Sequence, residues 1–212
     1  MTTGVGSNDQ HPDHDVAAGE AFYKDVYEAL RSSPSWNETL LIITYDEHGG
    51  YWDHVPTPLD VPSPGDNETS YPDKFAFDRL GVRIPTVLIS PWLAKGHVQC
   101  APPAAQKPAG NSEYDLTSIM ATARKLLGMH DTPPLTDRDA WAATFEHLFD
   151  ALDAPRTDCP MHLPDAIPPQ KAALEAEAER ELNDLQRHIM TLHAHHARVE
   201  YPHHITAQKD VS

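Results

Sequence analysis

The chain has 212 residues, of which 40% are hydrophobic, 20 are proline and 10 are glycine; 16 Lys+Arg against 32 Asp+Glu give a formal charge of −16. That length fits one domain of ordinary size plus an appendage, and that apolar share excludes wholesale disorder. The charge of −16 excludes a general nucleic-acid surface, which needs clustered Lys and Arg, and any work on phosphate requires a local cation to reverse the field.

No run of about eighteen apolar residues occurs, so no transmembrane helix is expected. Residues 1–20 lack an apolar core and do not read as a signal peptide. Two cysteines, Cys100 and Cys159, are too few for a disulfide framework; one bridge is compatible with the sequence, and no compartment follows from them.

In chain order, Asp15–Ser32 reads as a helix. Asp15 is its N-cap, and Val16, Phe22, Val26, Ala29 and Leu30 recur at three- and four-residue intervals before Ser33 and Pro34 end it. Thr39–Tyr45 is an almost continuous apolar, β-branched run, the pattern of a strand buried on both faces as in a parallel sheet. Val55–Tyr71, rich in Pro, Gly, Asp and Ser, reads as a long loop. Val82–Ser90 is a second buried strand stopped by Pro91, with Pro85 suited to a strand start or an edge.

Ala101–Gly110 is a Pro/Ala loop, and Leu116–Leu127 a helix capped by Asp115 and stopped by Gly128. Thr136–Leu152 is predicted as a third helix, with Thr136 and Asp139 as a capping box. Asp153–Pro169 is a Pro-rich linker, and Gln170–Val199 one long helix with Leu182, Leu185, Ile189, Leu192 and Val199 on a stripe that His196 interrupts. Helices alternating with apolar strands indicate an α/β layered domain. Two strands fall short of the roughly four to six that a free-standing sheet carries, so the chain reads as part of a larger domain.

The densest chemistry lies in TYDEHGGYWDH, Thr44–His54. Asp46 and Glu47 follow the C-terminal end of the first strand, where open α/β sheets bind ligands, and with His48 they offer oxygen and imidazole donors to a divalent cation. Gly49 and Gly50 allow a tight turn and close approach to a ligand. The plainer alternative is a polar strand-to-loop turn with solvated acids. A second cluster, NDQHPDHD (Asn8–Asp15), sets His11 and His14 with Asp9, Asp13 and Asp15 before the first helix, where phosphate oxygens or a metal can bind beside imidazoles; its plainer reading is an acidic terminus in which Asp15 caps the helix. Six of the 14 histidines, from His188 to His204, form a C-terminal tract best read as a solvated helix face. Cys100 has no basic surroundings and reads as a packed small residue. Nucleophile-elbow, P-loop, dinucleotide-binding and paired C-x-x-C patterns do not occur.

The segment TYDEHGGYWDHVPTP (Thr44–Pro58) closely resembles the signature of the phosphoesterase family that contains plant non-specific phospholipases C, bacterial phospholipases C and related acid phosphatases. The likeness extends to NDQHPDHDV (Asn8–Val16), DRLGVRIPTVLISPWL (Asp78–Leu93), SEYDLTSI (Ser112–Ile119) and LTDRDAWAATFE (Leu135–Glu146), and APRTDCP (Ala154–Pro160) with the helix behind it looks like the plant-type tail. The resemblance implies an alkaline-phosphatase-like three-layer α/β/α fold, here incomplete, in which residues 1–165 are the C-terminal part of the phosphoesterase domain and 166–212 a long helix and polar tail. It also implies metal-dependent hydrolysis of a phosphate ester or phospholipid through a Ser or Thr nucleophile. Asp46 and Glu47 would be metal ligands for calcium, zinc or manganese. His11 or His14 would contact the phosphoryl group and the leaving oxygen, His48 or His54 would help line the pocket, and Asn8, Asp9, Gly49 and Gly50 would bind substrate. The metal would meet the demand made by the chain's charge. Peripheral membrane contact is compatible with a phospholipid substrate.

Two departures stand out. The family's N-terminal motif, resembling ENRSFDH, and the nucleophile after it find no match in the 212 residues, so a fragment inactive or nearly so alone is expected. Leu116 stands where the family pattern has histidine. The rival reading is a catalytically inactive remnant acting as an acidic interaction module.

Overall fold

The apolar spacing after Asp15 does produce a helix. In a computed structural model that describes residues 8–12, 16–65 and 74–167, α1 spans Val16–Ser32. Asp15, its expected cap, lies outside the described residues, as do the expected helix at 170–199 and its histidines. Two compact units divide the chain, one of Met1–Glu28 with His162–Ser212 and one of Ala29–Met161.

In the first unit the inward face of α1 differs from the expected stripe. Val16 and Phe22 are exposed, while Ala17, Gly19 and Tyr27 are buried. Gln10 folds back over part of this face: its Oε1 accepts from the Tyr23 hydroxyl at 2.8 Å and its Nε2 donates to Val16 O at 3.1 Å. A Cβ on Gly19 would stand 2.4 Å from Gln10 Cγ, so only glycine admits that approach. Further along, Glu28 accepts from Leu163 N at 3.0 Å and from His162 Nδ1 at 3.2 Å, and Lys24 Nζ donates to Leu163 O at 2.6 Å.

The second unit holds the sheet. Strand β1 is Leu41–Thr44 and β2 is Thr86–Ile89, paired antiparallel with Leu41 opposite Ile89 and Thr44 opposite Thr86. β2 begins directly after Pro85, the strand-start position expected for it. The expected parallel, doubly buried strands are corrected on two counts. An apolar run reports burial but not direction, and the direction here comes from the intervening chain, which turns back on itself through the Leu59–Arg79 bridge and the bonds Val61 N to Asp78 O and Leu80 N to Pro58 O, each 3.0 Å. Nor is either strand covered on both faces: β1 is half-buried throughout and Val87 of β2 is 52% exposed.

Helix α2 covers Thr117–Leu126, close to expectation. The Asp115 carboxylate accepts from both the amide (2.8 Å) and the hydroxyl (2.6 Å) of Thr117, and Gly128 at φ 64 turns the chain so that Met129 N reaches Arg124 O at 2.8 Å. The expected helix 136–152 is instead broken into α3, Asp137–Trp141, and a 3₁₀ turn at Glu146–Ala151. Tertiary bonds explain the break: Ala143 N donates to Glu113 O (3.0 Å), Thr144 N to Gln106 O (3.3 Å) and Phe145 N to Thr122 Oγ1 (3.1 Å). Ala142 and Ala143 are fully buried in this extended stretch. Half of the expected capping box forms. Thr136 Oγ1 accepts from Asp139 N at 3.0 Å, but the Asp139 carboxylate turns to Leu135 N and to the Arg124 guanidinium.

Arg138 joins the parts of this unit. It donates to Pro62 O at 2.6 Å and to Phe77 O, and pairs with Asp115 at 3.4 Å. The result is a mixed helix and strand architecture with a small sheet, and no described helix is long and apolar enough to cross a membrane.

Candidate active site

Asp46 and Glu47 leave the end of β1 together and are solvent-exposed. Each carboxylate uses one oxygen locally: Asp46 Oδ1 accepts from Glu47 N at 3.0 Å and Glu47 Oε2 from Gly49 N at 2.7 Å. These bonds orient both groups and leave Asp46 Oδ2 and Glu47 Oε1 for a ligand.

The next four residues form a two-residue turn. Gly49 and Gly50 have φ 65 and 75, and Tyr51 N donates to His48 O at 3.2 Å. Both central residues need positive φ, which explains the Gly-Gly pair. His48 Nδ1 lies 2.9 Å from Tyr51 O. A carbonyl can only accept, so Nδ1 carries the hydrogen and Nε2 keeps a lone pair for a proton or a cation. Nothing lies within 4 Å of a Cβ built on Gly50, so Gly50→Ala is a pure backbone test. It is expected to cost about 1 kcal/mol, read as a lowered urea midpoint, with Gly50→Asn recovering part of the loss because asparagine tolerates positive φ.

Asp53 is the fixed point of the following loop. Its carboxylate takes a two-pronged bond from Arg83, with Nε at 2.7 Å and Nη2 at 2.8 Å, and a third from Val55 N at 3.1 Å. His54 Nδ1 stands 3.4 Å away on an imidazole that is mostly exposed. The Arg83 guanidinium, helped by the Val55 amide, holds the Asp53 carboxyl at about 2, below its ordinary 3.8. A carboxyl depressed in this way contributes stability above pH 3.8 and loses it as the pH falls through about 2. In Arg83→Ala the Asp53 carboxyl should titrate higher by NMR, toward but still below 3.8 because the Val55 amide remains, and the loss of stability on acidification should begin at correspondingly higher pH.

Of the other expected site residues, Asn8, Asp9 and His11 are exposed in the first unit, where Asp9 Oδ1 accepts from His11 N at 3.1 Å. His14 lies outside the described residues. Leu116 is 47% exposed immediately before α2. Cys100 is exposed, contrary to the packed position expected of it, and it and Cys159 are both free thiols. An open apolar cleft of about 380 Å³, lined by Leu40, Ile42, Trp92, Ile119, Leu126 and Phe149 among others, contains none of the expected site residues. Sequence reasoning missed Arg83, since nothing in local spacing links it to Asp53 thirty residues earlier.

As a cation site, Asp46 and Glu47 fit in chemistry but not in number. Both are hard oxygen donors with an open oxygen, yet among the described residues no group of three or more His, Cys, Asp or Glu side chains is assembled that could hold a metal ion.

The sequence profile described as the Phosphoesterase family matches residues 2–130, which takes in the two histidine-acid clusters and both strands. This chain belongs to the phosphoesterase family. It is 51% identical to the non-specific phospholipase C6 of Arabidopsis thaliana over 192 residues, covering 90% of this chain and 36% of that protein. With the non-specific phospholipase C1 of the same plant it shares 54% over 160 residues, 75% of this chain and 29% of that one. Phospholipase C B of Mycobacterium tuberculosis is 28% identical over 180 residues, 75% of this chain and 32% of the relative. The family member therefore spans about a third of the length of these curated relatives.

Proposed function

We propose that this chain carries the C-terminal share of a phospholipase C-like phosphoesterase site that hydrolyses a phosphate ester or phospholipid with a divalent metal ion. The observation that carries the reading is the pair Asp46 and Glu47: adjacent carboxylates at the end of a strand, each with one oxygen oriented by a backbone amide and one left open, in a chain with phospholipase C relatives. These two residues would hold calcium, zinc or manganese, which supplies a Lewis acid for the phosphoryl oxygen. The remaining ligands and the Ser or Thr nucleophile come from outside the described cluster, in line with the one-third span.

Within this chain, His48 presents Nε2 because Tyr51 O fixes its other nitrogen. His54 borders the same loop, held by the Asp53–Arg83 pair. His11 or His14 would contact the phosphoryl group and the leaving oxygen, and Asn8, Asp9, Gly49 and Gly50 would bind substrate. The half-exposed β1–β2 pair is two strands of a larger sheet in an alkaline-phosphatase-like α/β/α fold, with residues 1–165 in that domain and residues 166–212 appended to it.

The test is turnover of phosphatidylcholine and of a soluble phosphomonoester with manganese, zinc or calcium. The 212-residue chain alone should show little, and supplying the preceding part of a plant phospholipase C relative should restore it. Full turnover by the isolated chain would overturn the incomplete-site reading. Restored turnover indifferent to Asp46→Ala would overturn the site.

A further inference from the structure

Gly19 lies near the start of α1 among Ala17, Ala18 and Ala21, where one more alanine would favour the helix better than glycine does. What the glycine provides is space. A Cβ there would stand 2.8 Å from Gln10 Cδ and nearer still to Cγ, so the missing side chain is the seat of the Gln10 side chain. Once seated, the Gln10 amide group is fixed at both ends, Oε1 by the Tyr23 hydroxyl at 2.8 Å and Nε2 on Val16 O at 3.1 Å. A helix start needs acceptors for its free amides, and neither bond supplies one, since they go to a hydroxyl and a carbonyl. Gln10 therefore does not cap α1. It fastens the segment before the helix onto the helix.

The residue this fastening bears on is His11, the next in the chain. Its amide donates to Asp9 Oδ1 at 3.1 Å, and it is exposed where Gln10 is half-buried. The backbone leading into the imidazole is thus held at Asp9 and at Gln10, while the histidine itself faces outward. A frayed acidic terminus, the plainer expectation for this cluster, has no use for a glycine seat and two side-chain bonds.

We propose that Gln10, seated on Gly19, is the positioning residue for His11 at the phosphoryl group: it acts through the backbone it anchors and does not itself touch the substrate. The inference rests on the phosphoesterase reading above, in which His11 or His14 meets the phosphoryl group, and it assigns that contact to His11. Gly19→Ala is the natural probe, because the flexible Gln10 side chain gives way to the new methyl group while alanine keeps α1 helical.

The test compares Gln10→Ala, Gly19→Ala and the double variant, first in the whole chain and then in the enzyme reconstituted with the preceding part of a plant relative. In the whole chain, NMR relaxation of the His11 amide should show increased fast motion in each variant, with unchanged far-UV circular dichroism. In the reconstituted enzyme, each single variant should lower phosphomonoester turnover by roughly tenfold, because small misplacements of a group at the reacting centre are costly. The double variant separates positioning from stability. With nothing left to displace, alanine at position 19 should raise the urea midpoint above that of Gln10→Ala, while turnover stays as low as in the single variants. Turnover that recovers together with the midpoint would make Gln10 a purely structural residue and overturn the proposal. So would unchanged motion at His11, or full turnover in His11→Gln. Glu20→Ala, exposed beside Gly19, should match the unaltered chain. Failure of the underlying reading is separable. Absence of any turnover that depends on Asp46 removes the site and the positioning role together, whereas Asp46-dependent turnover indifferent to Gly19→Ala removes the positioning role alone.

Discussion

In the reconstituted enzyme Asp46→Asn is expected to abolish divalent-cation binding and to lower phosphoester turnover by about a hundredfold or more, since it removes half of this chain's charge at the proposed cation. The substitution is selective because an asparagine Oδ1 can still accept the Glu47 amide that Asp46 accepts at 3.0 Å. The turn should survive, and circular dichroism and the urea midpoint should stay within error of the unaltered chain. Glu47→Gln behaves alike, since its amide oxygen keeps the bond from Gly49 N. Titration calorimetry with manganese, followed by turnover of phosphatidylcholine, checks both. Undiminished cation binding in both variants would remove the carboxylate pair from the site.

The largest loss of stability should come from Asp139→Ala. Asp139 is 3% exposed, its Oδ2 accepts from Leu135 N at 2.8 Å and from Arg124, and the Arg124 side chain is only 15% exposed. Removing the carboxylate strands a guanidinium in the contact between α2 and α3, where breaking a buried pair costs about 3–5 kcal/mol. A urea melt should show that loss as a lower midpoint at unchanged slope. The double variant Arg124→Met with Asp139→Leu should lose much less than the single one, because both charges leave together and apolar volume replaces them. An equal loss in the double variant would mean that the Leu135 bond and local packing, not the ion pair, set the cost.

A third reading of charge concerns the first unit. Lys24, His162 and the Leu163 amide hold the Glu28 carboxyl at about 2, below its ordinary 4.5. The anchoring of His162 and Leu163 onto α1 is therefore complete above pH 4.5 and is lost as the pH falls through about 2. Lys24, raised by Glu28 and Asp165, acts in the opposite sense: its contribution is present below pH 10.5 and disappears as the pH rises through its elevated value. Protection of the Leu163 amide against hydrogen exchange, relative to its intrinsic rate at each acid pH, reports the first effect, and Glu28→Gln should abolish the pH dependence of that protection.

What could be read from the amino acids alone is what local chemistry encodes. The helix at Val16–Ser32, the strands at Leu41–Thr44 and Thr86–Ile89, the Asp115 bonds and Gly128 stop of α2, and the Gly49–Gly50 turn behind Asp46 and Glu47 all follow from periodicity, capping and backbone freedom within a few residues. The family was legible for the same reason, since its signatures are contiguous strings. Only the tertiary structure decided that the strands run antiparallel, that Gln10 rather than a large apolar residue covers Gly19, and that the third helix breaks at Ala142 to bond with Glu113, Gln106 and Thr122. It likewise decided that Arg83 locks Asp53, that Arg138 reaches Pro62 and Phe77, and that Trp52 stands in solvent. These partners lie far apart in the chain, and a contact of that kind leaves no spacing or propensity signal, because its free energy arises only when the fold brings both partners out of water together.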